Sequence, residues 1–374
     1  MCMPMKRAPV LIAGWLLACV LAACGAGQPA ASQPTPQPSA APTALPSAAP
    51  TAAQPTPQPS AAPTALPTPG PDQFANPVID QDFPDPDVLQ VGDEYYAYAT
   101  NSAGKNIQVA RSADLVAWQM LDDALPIQPD WAALNFGLIW APEVTSWDGG
   151  KTFTMYFVAR DTASDKQCIG VATSAQPAGP FKGAGAKPLI CQSDLGGSID
   201  ASAFADDDGQ RYLLWKNDGN CCGLDTWLYI QPVAADGLTL SGQPTKLIKE
   251  DQSWEGQLVE APTLWKHGGK YYLFYSANSY AGADYAIGYA VADAPTGPFS
   301  KPGNGPLLAT DFKSGVALGP GGQDVVVGKH GETWLMYHSW DSTVAYRRIS
   351  LARLTWQGDT PVVQPPSRAP MPKP

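Results

Sequence analysis

Residues 259–275 read Val259-Glu260-Ala261-Pro262-Thr263-Leu264-Trp265-Lys266-His267-Gly268-Gly269-Lys270-Tyr271-Tyr272-Leu273-Phe274-Tyr275, and Ile287-Gly288-Tyr289-Ala290 follows a short way on. An acid beside small residues opens the phrase, a short apolar stretch runs into a His-Gly-Gly turn, and an aromatic run and a third alternating run complete it. Aromatic runs bounded by glycine-containing turns are strand and hairpin signals. The phrase therefore predicts three antiparallel strands.

The same phrase occurs five times at a spacing of about 60 residues. Its openings are Asp85-Pro86, Trp140-Ala141-Pro142, Asp200-Ala201, Glu260-Ala261-Pro262 and Gly321-Gly322. Its turns are Gly92-Asp93, Asp148-Gly149-Gly150, Asp207-Asp208-Gly209, His267-Gly268-Gly269 and His330-Gly331. After them come Tyr95-Tyr96-Ala97-Tyr98, Phe153-Thr154-Met155-Tyr156-Phe157, Tyr212-Leu213-Leu214-Trp215, Tyr271-Tyr272-Leu273-Phe274-Tyr275 and Trp334-Leu335-Met336-Tyr337. Two units also end alike, in Pro177-Ala178-Gly179-Pro180-Phe181 and Pro295-Thr296-Gly297-Pro298-Phe299. Repeated antiparallel units of this size with no helical period between them predict an all-β, five-bladed β-propeller. A β-sandwich is the alternative, but it needs no matched openings at a constant period.

Composition agrees. The 374 residues include 39 prolines and 35 glycines, which argues against long helices. Fourteen of the prolines fall in residues 28–71, a stretch without charge or aromatic side chains that cannot bury enough apolar surface to fold. Within it, residues 33–46 and 54–67 are identical, QPTPQPSAAPTALP, which predicts a semi-rigid polyproline-like stalk over 25–73. The propeller is expected over 74–363 and a Pro-rich tail over 364–374.

Ahead of the stalk, Lys6-Arg7 precedes an apolar run over 10–23 that ends Leu21-Ala22-Ala23-Cys24-Gly25. A short apolar stretch between a basic patch and small residues predicts a secretory signal rather than a membrane span. The ending resembles the lipobox of bacterial lipoproteins, which implies a signal peptide over 1–24, lipidation of Cys24 and an exported protein tethered to the cell surface or outer membrane. An ordinary cleaved signal peptide is the alternative. Without Lys6 and Arg7 the chain carries 21 basic and 34 acidic residues, a net charge of −13 that repels phosphate backbones and excludes nucleic acid as an expected partner. The only membrane contact expected is through the lipid, and a monomer is expected.

In a propeller, residues at equivalent openings converge on one face of the axis. Three openings carry an acid: Asp85, Asp200 and Glu260. A single acid at a strand start commonly just accepts backbone hydrogen bonds, the role expected of Asp206, Asp207 and Asp208. Three brought together repel one another, which separates their titrations and can keep one protonated near neutral pH. One carboxylic acid and one carboxylate is the pair that glycosidic bond hydrolysis requires.

Asn76-Pro77-Val78 with Asp82-Phe83-Pro84-Asp85-Pro86-Asp87-Val88, then Ser198-Ile199-Asp200-Ala201-Ser202, then Val259-Glu260-Ala261-Pro262, resemble in order the motifs of glycoside hydrolase family 43, five-bladed propeller enzymes acting on arabinose- and xylose-containing plant polysaccharides. The resemblance implies an inverting hydrolase with Asp85 as general base, Glu260 as general acid and Asp200 orienting Glu260 and raising its pKa. The substrate it implies is an arabinose-containing oligo- or polysaccharide, as for an α-L-arabinofuranosidase or arabinanase, with a β-xylosidase and a non-catalytic carbohydrate-binding propeller as alternatives. An adhesion or scaffold propeller is a third class.

Arg347 matches a family arginine that reaches substrate hydroxyls; Arg348 is the alternative, because strand alternation sends only one of the two inward. Phe83 and Trp140 are expected to form the apolar wall of the sugar pocket, with packing between blades as the other use of each. Many members carry a fifth-blade histidine that helps hold an axial calcium. Here that stretch is Gly319-Pro320-Gly321-Gly322-Gln323-Asp324, so no cofactor is expected to be required; Gln323 or Asp324 is what could supply an oxygen to calcium. His338 faces the axis or belongs to the core. Cys168, Cys191, Cys221 and Cys222 allow three pairings, of which Cys168–Cys191 is preferred; the adjacent pair is then a vicinal disulfide or two free thiols.

Overall fold

A computed structural model describes residues 67–134, 138–303 and 305–374. The leader, Cys24 and the stalk up to residue 66 lie outside the described residues. No helix among those described is long and apolar enough to cross a membrane.

Five antiparallel sheets follow one another along the chain. Blade I is Asp87–Val91, Glu94–Ala99, Gln108–Ser112 and Trp118–Met120. Blade II is Trp140–Thr145, Phe153–Asp161, Lys166–Ser174 and Lys182–Gly183. Ser198–Ala205, Arg211–Asn217, Trp227–Pro232 and Thr245–Lys249 make blade III. Blade IV has three strands, Val259–His267, Lys270–Ala277 and Ala286–Ala292, with isolated bridges from Val291 to Ser300 and from Ile287 to Leu308 at its outer edge. Blade V is Gly321–Val327, Thr333–Trp340, Arg347–Gln357 and Thr360–Val363.

The second strand of every blade is the aromatic run, and side-chain alternation explains why it is apolar throughout. Tyr96 and Tyr98 pack with Met155 and Phe157 of blade II, whereas Tyr95 and Ala97 pack with Trp334 and Met336 of blade V. Leu213 and Trp215 likewise face blade II while Tyr212 and Leu214 face blade IV. Tyr272 and Phe274 join Leu335 and Tyr337 between blades IV and V. A strand buried on both faces needs apolar residues at every position. Each such fully buried ring contributes about 2–3 kcal/mol, so Trp215, with 1% of its surface exposed, is a position where truncation to alanine costs about 3–5 kcal/mol.

The ring closes around blade V. The last outer strand, Thr360–Val363, covers only the far half of Arg347–Gln357. The near half is taken by the segment before blade I: Val78 and Phe83 donate to the carbonyls of Ile349 and Arg347 at 2.8 Å each, and the Asn76 amide bonds both backbone groups of Leu351. The Pro-rich stretch 364–374 is docked at its end: Met371–Pro372 pairs antiparallel with Gln73–Phe74, and the Lys373 ammonium reaches Asp114 at 2.9 Å.

Candidate active site

Each inner strand begins with an irregularity. Asp85, Ala141, Asp200, Ala261 and Gly322 all have positive φ, and in blades II to V the pairing register shifts around them. A bulge of this kind re-aims side chains at a strand end. It also corrects the expectation of three acids in one register. Asp85 and Asp200 occupy the bulge position, but Glu260 precedes its bulge residue Ala261 and corresponds to Trp140, Ile199 and Gly321. All three acids nonetheless line a single pocket of about 560 Å³, together with Trp140, Lys216, Tyr280, Tyr285 and Arg347. That is within the range of small-molecule sites, about 300–1,000 Å³.

Asp85 is held as an acceptor on both oxygens. Thr100 Oγ1 donates to Oδ2 at 2.7 Å, and Arg347 donates to Oδ1 at 3.0 Å. The backbone N–H of Asp85 donates to Nδ1 of His338 at 3.0 Å. His338 is fully buried, and burial followed by the Arg347 charge holds its pKa well below the ordinary value, so it is a neutral imidazole that fixes the bulge. Arg347 is itself placed by Tyr280 and Trp340, whose rings lie 5.0 and 5.9 Å from its guanidinium carbon. Arg348, one residue on, turns away and donates to the Gly315 carbonyl.

Glu260 sits deeper. Lys216 Nζ donates to its Oε2 at 2.8 Å and the Tyr285 hydroxyl donates to its Oε1 at 2.9 Å. Tyr285 passes over Gly321, where a β-carbon would collide with the ring. Burial and then the Glu260 charge hold the Tyr285 phenol well above its usual range, so it remains a neutral donor. Burial pulls the Lys216 ammonium down, but the charges of Glu260, Asp200 and Asp218 more than offset it and its pKa is raised. Asp200 acts on Glu260 through the backbone: its Oδ2 accepts from the Ala261 N–H at 3.0 Å and so holds the chain next to Glu260. Burial, then the Glu260 charge, push Asp200 up to about 7, with Lys216 pulling the other way.

Below this layer, two residues after the bulge in blades I, II and V, lie Asp87, Glu143 and Asp324. Each accepts a backbone N–H from the next blade around the ring: Val144 to Asp87, Ala203 to Glu143 and Val88 to Asp324, at 2.8–2.9 Å. Burial raises all three, Asp324 to about 6, and the neighbouring acids add to the effect on Asp87 and Glu143. They pin the blades to one another. In the stretch considered for calcium, Gln323 donates to the Ala261 carbonyl at 2.6 Å and accepts from the Ser276 hydroxyl at 2.7 Å, and Asp324 accepts from Val88 and Val325.

Phe83 does not reach the pocket. It is fully buried in the cluster between blades I and V, because the closing segment turns its ring inward while its N–H pairs with Arg347. Tyr280, half-exposed on the loop after the second strand of blade IV, takes the aromatic place instead. Lys216, Tyr285 and Thr100 were not expected here, whereas His338 takes the axis-facing place that was one of the two expected of it. Lys216, Thr100 and His338 lie in or just after aromatic second strands that read as core, and only Lys216, a charge at the end of such a strand, is a sequence signal that could have marked one. Cys168 and Cys191 are disulfide-bonded, and Cys221 and Cys222 are free thiols.

Comparison with known proteins places this geometry. The family profile described as Glycosyl hydrolases family 43 matches residues 74–361. A β-D-galactofuranosidase, xynD, of Aspergillus niger is 27% identical over 279 residues, covering 71% of this chain and 76% of that protein. The extracellular exo-α-(1→5)-L-arabinofuranosidase ArbA of Cellvibrio japonicus is 26% identical over 310 residues, 74% of this chain and 85% of its own length. Among solved structures, a thermostable family-43 glycoside hydrolase superposes with a TM-score of 0.71 at 34% identity, covering 80% of this chain and 99% of that one. A propeller matched along nearly its whole length, with its acids gathered in one axial pocket, belongs to glycosyl hydrolase family 43.

Proposed function

We propose that the protein is an inverting hydrolase of arabinose-containing plant polysaccharides or oligosaccharides, with Asp85 as base and Glu260 as acid. The observation that carries this reading is the asymmetry of the two carboxyl groups. Asp85 lies at the pocket mouth among hydrogen-bond donors and is placed to take a proton from water. Glu260 lies deeper, bonded by Lys216 and Tyr285, beside an Asp200 that burial and the Glu260 charge push up to about 7.

The opposing neighbours of Glu260 suit an acid that must both hold and release a proton. Asp200 favours the protonated cluster. Lys216 and Tyr285 stabilise the carboxylate that remains once the glycosidic oxygen has taken the proton. Arg347 and Tyr280 bind and orient the sugar, and Trp140 offers an apolar face. The two curated relatives compared above are named for furanosidase activity, which favours a furanoside over a pyranoside.

The test is a panel of aryl pentosides with arabinan, arabinoxylan and xylan, run with wild type and Asp85→Ala. Release of arabinose by wild type and its loss in the variant support the reading; release of xylose alone identifies a β-xylosidase. A folded wild-type protein that releases no sugar from any of them contradicts it. Lipidation at Cys24, with the stalk as spacer, would hold the enzyme at the cell surface. Metabolic lipid labelling that survives Cys24→Ser would refute that tether.

A further inference from the structure

The short helical turn Gly219–Cys222 leaves the second strand of blade III and carries two adjacent free thiols, both exposed. This turn is part of the pocket wall: Asp218, Asn220 and Cys221 all line it. Asp218 also lies 3.9 Å from Lys216, the partner of Glu260. Lys166, from the third strand of blade II, places its ammonium 3.3 Å from the Cys222 sulfur. The Cys221 sulfur also lies 3.5 Å from the Gly196 carbonyl oxygen. Neither cysteine has a part in the hydrolytic reaction described above.

We propose that Cys222 and Cys221 form a thiol-modification site in the wall of the catalytic pocket, with Cys222 as nucleophile and Cys221 as resolving thiol, for soft electrophiles of the organic disulfide class. The two sulfurs differ as this requires. The hydrogen bond from Cys221, then the Lys166 contact, lowers the Cys222 thiol below its usual range. Burial, then the hydrogen bond to Cys222, pushes Cys221 up to about 11. A thiolate beside a cation is the attacking species in thiol–disulfide exchange.

In the first step the Cys222 thiolate attacks one sulfur of the disulfide; its S–S bond breaks, a mixed disulfide forms and a thiolate departs. In the second, Cys221 attacks the Cys222 sulfur, its proton passing to the departing thiolate, and a second thiol is released. The two cysteines lose two electrons and the incoming disulfide gains them. Adjacent α-carbons are about 3.8 Å apart across a trans peptide, closer than the 4.4–6.8 Å usual for a disulfide. The vicinal ring is therefore strained and easily reduced, and forming it remodels the turn that lines the pocket.

The experiment treats the full chain with oxidised glutathione at pH 7 and follows intact mass and non-reducing peptide maps. Wild type is expected to gain one glutathionyl group at Cys222 and then lose it, ending two hydrogens lighter. Cys221→Ser should stop at the mixed disulfide, and Cys222→Ser should react about tenfold more slowly. Modification of Cys222→Ser at the wild-type rate, or a wild-type adduct that never resolves, overturns the assignment. These readouts do not depend on glycosidase activity. Where the panel finds activity, ring closure should change KM and dithiothreitol should restore it; an unchanged KM removes the link to the pocket.

Discussion

Replacing Lys216 with methionine tests the electrostatics of the acid directly. The side chain is fully buried and its ammonium is 2.8 Å from Glu260 Oε2. At an effective dielectric constant of about 20, unit charges at that separation attract by about 6 kcal/mol, an upper limit of about 4 pKa units on the acid cluster. Water entering the space and a proton taken up by Asp200 reduce this, so a shift of about 1–2 units is expected. The sign is upward, because the lost cation favoured the carboxylate forms of both Glu260 and Asp200. The alkaline limb of kcat/KM, which reports the macroscopic titration of that pair in the free enzyme, therefore moves to higher pH. Turnover of substrates with poor leaving groups falls, since a weaker acid protonates the glycosidic oxygen less readily. The assay is a pH–rate profile on an unactivated arabino-oligosaccharide, with circular dichroism to establish folding. A folded Lys216→Met whose alkaline limb is unmoved, or moves to lower pH, refutes the role given to Lys216.

Asp200→Asn should abolish most activity yet stabilise the protein in alkali. The carboxyl rises from 3.8 to about 7 on folding, so its contribution is fully present below about pH 4 and is lost as pH rises through 7. Relief of that burden, about 1–3 kcal/mol after allowance for Lys216 and Glu260, should raise Tm by about 2–6 °C at pH 8 and by nothing at pH 4; equal Tm values at pH 8 contradict it. Glu260→Ala should retain far more activity on aryl glycosides with activated leaving groups than on arabinan, and equal losses on both would refute its assignment as acid. Arg347→Ala should raise KM for arabinosides by about tenfold or more while CD spectra stay unchanged, since it removes one charged hydrogen-bond donor from the pocket; an unchanged KM would show that it does not touch substrate.

The fold was legible because its determinants are local. Aromatic runs such as Tyr271-Tyr272-Leu273-Phe274-Tyr275, closed by glycine turns, specify the second strand of each blade, and their period counts the blades. Ring closure was less legible, since the edge that Val78 and Phe83 occupy exists only once the outer strand Thr360–Val363 has stopped short. The acids and Arg347 could be read from motif order. The bulge could not: a left-handed Asp200 and a left-handed Ala261 look alike in sequence, which concealed that Glu260 stands one position ahead. Phe83 was misplaced for a similar reason, because alternation outside a regular strand does not say which way a ring points. Lys216 was missed because it ends a strand whose other residues are core, and a buried lysine is intelligible only beside the carboxylates that hold it.

In the proposed reaction Asp85 directs water to the face of the sugar opposite the leaving group that Glu260 protonates. Proton NMR of the first sugar released, from whichever aryl glycoside the wild type cleaves best, tests this most directly. The first-formed product should carry the anomeric configuration opposite to that of the substrate, with the original configuration appearing only later by mutarotation. Initial release with retained configuration would contradict it.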